Sequence, residues 1–285
     1  MKVVIIGLGL IGGSICMGLA DSGVATDIVG ADAHPDAINY FLSRGYLTER
    51  VSTYAHHADA DLWVIAVPPN AICGVLEQIA PHVKREAVVT DCTSVKSAVN
   101  ACVPQRIKPN FIGGHPIAGL ASSHYSLAKP DLFQDAHWVL CATDETSRSV
   151  IRRVETLVYS LDAQPIWMSA EEHDHHIALL SHIPHALAAL LVMEADRLQN
   201  PEIAGTSWGD LTRVAGNYPE LWKQIFKLNR SAIHEHILSI REGLDRVEWM
   251  LREGSDEDLL SFFKDAESCK PPRPTPKGSS KLSAS

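Results

Sequence analysis

The segment Gly113-Gly114-His115-Pro116-Ile117-Ala118-Gly119 offers one imidazole between glycines that permit unusual backbone angles and a proline that fixes the turn. Imidazole is the side chain best suited to take a proton near neutral pH, and oxidising an alcohol needs such an acceptor as hydride leaves. His115 is therefore the candidate catalytic base, presented from a rigid loop. A hydride carrier is suggested by Gly7-Leu8-Gly9-Leu10-Ile11-Gly12, a G-x-G-x-x-G run between an apolar strand pattern and a helical one. Its first glycine allows a tight turn, its second a close approach to a pyrophosphate, and its third close packing of helix on strand. Asp32 lies 20 residues past Gly12, where a carboxylate can accept hydrogen bonds from an adenosine ribose and repel a 2′-phosphate. Neither Ala33 nor His34 supplies an arginine for such a phosphate, so NAD is expected over NADP.

Other residues belong to the same chemistry. Val67 and Pro68, in Ala66-Val67-Pro68-Pro69, follow a strand and could line the cofactor crevice. Ser94, in Asp91-Cys92-Thr93-Ser94-Val95-Lys96, could bond a substrate hydroxyl, although Thr93 or Ser94 could equally cap the following helix. Between His173 and His185 lie five of the chain's 14 histidines. A helix of otherwise apolar character that keeps Asp174, Ser181, His182, Pro184 and His185 is expected to line a polar pocket. His173 and His176 have a chelating spacing, but there is no H-E-x-x-H and no acid or cysteine at familiar ligand spacing, so no metal is expected. Arg213, in Thr212-Arg213-Val214-Ala215, could hold a carboxylate in bidentate fashion, with Trp222 following in Pro219-Glu220-Leu221-Trp222.

These residues need a scaffold, and the sequence rhythm supplies one. Strands are expected at 3–6, 27–31, 62–67, 87–90, 111–113, 138–141 and 165–167, with helical spacing between Pro69 and Pro81 and from Val150 to Leu161. This alternation predicts an α/β Rossmann-type domain over 1–168. From Ser169-Ala170-Glu171-Glu172, a capping-box pattern, the remainder reads as helical: one long helix to Leu198 kinked by Pro184 near the Leu180 carbonyl, then helices at 219–251 and 256–266. Residues 169–268 thus form an all-helical domain, and the Pro-, Ser- and Lys-rich stretch 269–285 a disordered tail.

Composition narrows the class. With 285 residues and 46% hydrophobic side chains the chain can bury its own core. A net charge of −9, with no cationic run before the tail, argues against a nucleic-acid partner. Six scattered cysteines without a C-x-x-C pair lead us to expect neither a disulfide framework nor a cysteine zinc site, and a reducing cytoplasm. No N-terminal targeting signal is visible. The apolar stretch 177–193 is interrupted by Ser181, His182, Pro184 and His185, which suggests a buried helix and no membrane span.

Taken together, G-x-G-x-x-G, D-x-x-S-V-K, G-G-H-P-I-A-G, E-E-H-D…S-H-I-P-H and T-R-V-A…P-E-L-W-x-x-I-F-x-x-N-R resemble the prephenate/arogenate dehydrogenases of tyrosine biosynthesis over roughly residues 1–265. The resemblance implies a Rossmann domain, a helical domain that mediates homodimerisation, and an NAD-linked oxidative decarboxylation of prephenate, with arogenate or dual use as the alternative. By motif, His115 would take the ring hydroxyl's proton and Ser94 would position it. Arg213 would bind a substrate carboxylate, and His173, Asp174, His182, His185 and Trp222 would shape the substrate pocket. The resemblance also leaves room for tyrosine as a feedback ligand. Two departures concern specificity: Ala121 stands where many prephenate-preferring members have an acid, and Gly209 precedes Asp210 where they have a base. A β-hydroxyacid dehydrogenase would need a catalytic lysine on the helices, and none occurs between Lys129 and Lys223. A silent dinucleotide-binding protein is disfavoured by the intact Ser94, His115 and Arg213.

Overall fold

The structure, a computed structural model, describes residues 1–119, 122–198, 203–216 and 218–270. The chain divides into two compact units, Met1–His236 and Ile237–Ser285. In the first unit an eight-stranded sheet has the order β3-β2-β1-β4-β5-β6-β7-β8. Its strands are β1 (Lys2–Ile6), β2 (Asp27–Ala31), β3 (Glu49–Arg50), β4 (Leu62–Ile65), β5 (Val88–Asp91), β6 (Phe111–Pro116), β7 (His137–Cys141) and β8 (Gln164–Trp167). The six strands β1 to β6 are parallel, whereas β7 pairs antiparallel with β6 and parallel with β8. All seven expected strands are present. Only β3 escaped the sequence reading, because its two residues are exposed and polar and carry no apolar pattern.

Alternation across the pleat gives the sheet two apolar faces. Val3, Ile5, Ile28, Val64 and Ile112 pack under α1 (Leu10–Asp21), α2 (Pro35–Leu42) and α5 (Arg148–Ser160). Val4, Ile6, Trp63, Ile65 and Val89 pack under α3 (Ile72–Ile79) and α4 (Ser97–Ala101). Right-handed crossovers from adjacent strands put α3 and α4 side by side. They are joined by a disulfide between Cys73 and Cys102, whose Cα atoms are 5.6 Å apart. This corrects the expectation of no disulfide: the two cysteines are 29 residues apart and meet only through the sheet order.

From Ala170 onward no strand occurs among the described residues. The capping box forms as expected, with Glu172 N–H donating to Ser169 Oγ (3.0 Å) and Ser169 N–H to Glu172 Oε2 (2.8 Å). The helix it opens runs as α6 (Ala170–Ile177), a π-helical turn over Ala178–His182, and α7 (Ile183–Ala195). Pro184 falls in the first turn of α7, so its missing N–H is absorbed by the wider turn before it, close to the expected kink. Then follow α8 (Thr206–Thr212), α9 (Pro219–Leu228) and α10 (Arg230–Glu253), the last two broken at Asn229 where one helix was expected. The sheet ends at residue 167, but compactness divides the chain later, because Ile225 of α9, with Leu221 and Trp222 beside it, packs onto the second face of the sheet.

The expectation that residues 177–193 are buried needs correction. Ala170–Ala195 is long and apolar enough to cross a membrane, yet Leu180, Leu190 and Met193 are 74%, 58% and 60% exposed in the single chain. In the second unit α11 (Asp256–Ser268) is capped by Ser255 and Asp258, and Leu244, Trp249, Leu251, Leu260 and Phe263 are exposed. Residues 271–285 of the expected tail, and Ala121, lie outside the described residues.

Candidate active site

The carboxyl ends of the parallel strands carry the site. At the end of β1, Gly7 has φ +92°, and a Cβ there would lie 2.4 Å from the Ala66 carbonyl oxygen. A Cβ on Gly12 would lie 1.9 Å from the Gly7 carbonyl, so the first and third glycines perform the turn and packing duties read from the sequence. No side chain caps the N-terminus of α1, where such helices hold anions. Leu10 N–H donates to the Ser123 carbonyl (2.8 Å), which also passes close to Gly9, so an anion bound at this turn would compete with that carbonyl. Asp32 at the end of β2 accepts from Leu8 N–H (2.6 Å) and His34 N–H (2.7 Å), which fixes its carboxylate against the glycine turn. Half-buried Val67 and exposed Pro68 follow β4 against the same turn. A turn of this shape, a helix N-terminus without a side-chain cap and an anchored carboxylate fit a dinucleotide.

His115 lies on β6 itself, opposite Val139 of β7, and not in a loop. Gly114 is required for closeness and not for an unusual backbone angle: a Cβ there would lie 2.5 Å from the Asp91 carbonyl. The neighbouring Asp91–Lys96 pair, wholly buried, clamps this peptide from both sides. Gly114 N–H donates to Asp91 Oδ1 (3.1 Å), and Lys96 Nζ donates to the Gly114 carbonyl (2.6 Å) as well as to Asp91. Thr93 gives Asp91 Oδ2 its N–H (2.9 Å) and its hydroxyl (2.5 Å). Sequence reading missed this clamp; the available signal was the lysine in an otherwise uncharged stretch after Asp91. Ser94 is half-buried, and its hydroxyl makes no hydrogen bond among the described residues.

Behind His115 stands a relay. Its Nδ1 is 2.8 Å from His173 Nε2, and His173 Nδ1 is 2.8 Å from Asp174 Oδ1. Asp174 also accepts from the N–H groups of Lys96 (2.7 Å) and Ser97 (2.9 Å) at the start of α4. Burial pushes its carboxyl pKa up, but the His173 hydrogen bond and these two N–H donors outweigh burial and hold it below the ordinary value. An ionised carboxylate only accepts, so His173 carries its proton on Nδ1 and accepts on Nε2. His115 must then donate from Nδ1, which leaves the lone pair on its Nε2. Burial first, then electrostatic interaction with His173, Lys96 and His182, which opposes a charge on the ring, holds the His115 imidazole well below its ordinary pKa, so it is neutral at pH 7. His173 and Asp174 were expected to shape the substrate pocket; the structure puts them behind the base, because the first turn of α6 meets the start of α4.

His182 is fully buried on the π turn, and burial lowers its pKa to about 4. His185, half-buried, donates from Nδ1 to the Ser181 carbonyl (2.9 Å) and lies over Trp222 with ring centroids 3.6 Å apart. Burial lowers the His185 pKa, the Ser181 bond opposes this, and Arg213 adds a further lowering. Arg213 is exposed and makes no ion pair among the described residues, which leaves its guanidinium free within electrostatic reach of His185. Gly209 and Asp210 are exposed on α8.

A dinucleotide-binding α/β sheet with a relay-backed neutral imidazole at the same edge defines a dinucleotide-dependent oxidoreductase. The comparisons give it a family. The family model for the prephenate dehydrogenase nucleotide-binding domain matches residues 15–166, and that for the prephenate dehydrogenase dimerization domain matches 169–265. The chain belongs to the prephenate dehydrogenase family. It is 30% identical to a prephenate dehydrogenase of Lactococcus lactis over 93% of this chain and 75% of that protein. Its fold matches a crystal structure of prephenate dehydrogenase from A. aeolicus in complex with hydroxyphenyl propionate and NAD+ (TM-score 0.87, 26% identity, 94% of this chain and 96% of that one). It also matches Synechocystis arogenate dehydrogenase (TM-score 0.84, 25% identity, 94% and 98%).

Proposed function

We propose that this chain oxidises prephenate with NAD and releases CO₂ and 4-hydroxyphenylpyruvate, a step toward tyrosine. The observation that carries this reading is the Asp174–His173–His115 relay, which leaves an unprotonated Nε2 at the edge of the sheet where the glycine turn lies. When bound, NAD supplies the hydride acceptor. Gly7, Leu8, Gly9, Leu10, Ile11 and Gly12 would hold its pyrophosphate, Asp32 its adenosine ribose, and Val67 and Pro68 would line the crevice. The negative charge of Asp32, followed by Ala33 and His34 and not by an arginine, supports NAD over NADP.

His115 Nε2 accepts the proton of the ring hydroxyl. As it does so, its Nδ1 proton can pass to His173 Nε2, which puts the positive charge one ring away, against the Asp174 carboxylate. Ser94, with its hydroxyl free, orients the substrate hydroxyl. Arg213 binds a substrate carboxylate, and His185 and Trp222 form the adjoining wall. Loss of CO₂ and formation of an aromatic ring drive the step forward, so the protein needs to position groups and accept a proton more than to force decarboxylation.

Arogenate is the second reading, supported by Gly209 in place of a base, since arogenate carries an amino-acid zwitterion where prephenate has a pyruvyl carboxylate. We also propose domains at 1–168 and 169–268, a homodimer covering the exposed apolar face of α7, a cytoplasmic location, and tyrosine as a feedback ligand. NADH formation measured with prephenate and arogenate side by side, each with NAD and NADP, tests the reading. Turnover of prephenate with NAD is the expected result, and no turnover of either substrate overturns it.

A further inference from the structure

Asn229 interrupts the helical run between α9 and α10, and its side chain is 5% exposed. Its Nδ2 lies 2.7 Å from the backbone carbonyl of Asp174 and 3.3 Å from His182 Nδ1. A carbonyl oxygen can only accept, so the atom facing it must be the amide nitrogen. The second hydrogen of that NH₂ group then serves His182 Nδ1, which must be the accepting nitrogen of a neutral ring. The ring proton is on Nε2. That atom is buried and has no partner among the described residues. A buried N–H without an acceptor is costly in a folded protein and calls for an explanation.

The surroundings give this donor its meaning. His115 offers a lone pair at Nε2. His185, which donates from Nδ1 to the Ser181 carbonyl, offers another when neutral. Two lone pairs repel a carboxylate. Arg213, the free cation near His185, is exposed. His182 alone among these histidines is locked with its free nitrogen protonated, and it sits among His173, Asp174, His185, Trp222 and Phe226. Charging the ring would bring an Nδ1–H against the Asn229 NH₂ in a buried place. The donor therefore stays neutral and present across the working pH range.

We propose that Asn229 holds His182 as its Nε2–H tautomer and that this N–H donates to a carboxylate oxygen of the substrate. His182 is then a binding residue and Asn229 a positioning residue. This deepens the reading above and rests on it for the substrate's carboxylate; the tautomer itself does not depend on the activity.

The test has two arms on the full-length chain. In ¹⁵N-histidine-labelled protein without substrate, long-range ¹H–¹⁵N spectra should show His182 with a pyridine-type Nδ1 and a pyrrole-type Nε2, and the reverse pattern overturns the proposal. Asn229→Asp, whose carboxylate accepts from Nδ1–H, should invert that pattern. For the second arm, hydroxyphenylpropionate binding is followed by calorimetry and prephenate oxidation by initial rates. His182→Leu keeps the site apolar and close to its volume. It should weaken hydroxyphenylpropionate binding and raise the prephenate KM by about 10- to 100-fold, with kcat changed less than about tenfold. His182→Gln, whose amide nitrogen can stand where Nε2 stood, should recover most of that loss. An unchanged Kd and KM in His182→Leu overturns the proposal even where Asn229→Asp does not fold. If neither prephenate nor arogenate is oxidised but the tautomer and the Kd behave as stated, the activity reading fails and this assignment stands.

Discussion

On the sheet side of the site the Asp91–Lys96 clamp is satisfied from within. Asp91 accepts from Thr93 twice, from Lys96 and from Gly114, and both members of the Asp91–Lys96 pair are wholly buried. On the helix side the groups are left open: His182 Nε2 has no partner among the described residues, and Arg213 is exposed and unpaired among them. The difference fits the roles proposed above for each side. A base has to be aimed before substrate arrives, and a strand peptide gripped at both its N–H and its C=O cannot drift. A binding wall has to keep unmet hydrogen-bonding capacity, because whatever is satisfied internally has nothing to give a ligand. The relay through His173 and Asp174 joins the two sides, because it brings α6 into direct hydrogen-bonding contact with His115 on β6.

The comparison breaks first at His115. His115→Asn should lose turnover by about 10²- to 10⁴-fold while keeping NAD affinity, measured by rapid kinetics and by fluorescence titration. A mutant with near-normal turnover would remove the sheet side's claim to the chemistry. Next comes the clamp. Lys96→Met leaves the Asp91 carboxylate buried and unpaired, and should cost about 3–5 kcal/mol in denaturant unfolding. A loss typical of a surface residue would show that the pair is not the anchor of the His115 strand. The base itself carries a pH signature. The His115 pKa is depressed, so the neutral form persists as pH falls through the ordinary histidine range. kcat/KM should stay level there and decline only at lower pH, through the depressed value. An acid limb at the ordinary histidine pKa would contradict the burial and the electrostatic neighbours assigned as its cause.

How much of this was legible beforehand divides along the same line. The strands and the glycine turn were readable because their signals are local: Val3 to Ile6 is an apolar run, and Gly7, Gly9 and Gly12 have fixed spacing. His115 and Arg213 stand out in the sequence as single ionisable groups in mild surroundings. What could not be read were partnerships across the fold. Nothing in the spacing of Cys73 and Cys102, or of Asp174 and Ser97, says that they meet, because the order of the sheet strands decides it. The exposure of α7 was misread for a related reason: a helix that feeds His182 inward on one face and carries Leu190 and Met193 outward on another has no single burial state in one chain. Asn229 was hidden by an apparently continuous helical run, and its two side-chain hydrogen bonds form only with residues brought near by the fold.

The smallest expected effect separates binding from chemistry most cleanly. Arg213 is an exposed guanidinium with no internal partner among the described residues, so removing it strands no buried charge and opens no cavity. Arg213→Ala should leave unfolding midpoints unchanged and raise the prephenate KM by about tenfold, the scale of one solvent-exposed charge-assisted hydrogen-bond pair, with kcat largely kept. Added salt should weaken wild-type binding and have less effect on the mutant, because the mutant no longer has the guanidinium whose attraction for the carboxylate salt screens. A fall in kcat with KM preserved would mean that Arg213 acts on the transition state. The division between a chemical sheet side and a binding helix side would then have to be redrawn at that residue.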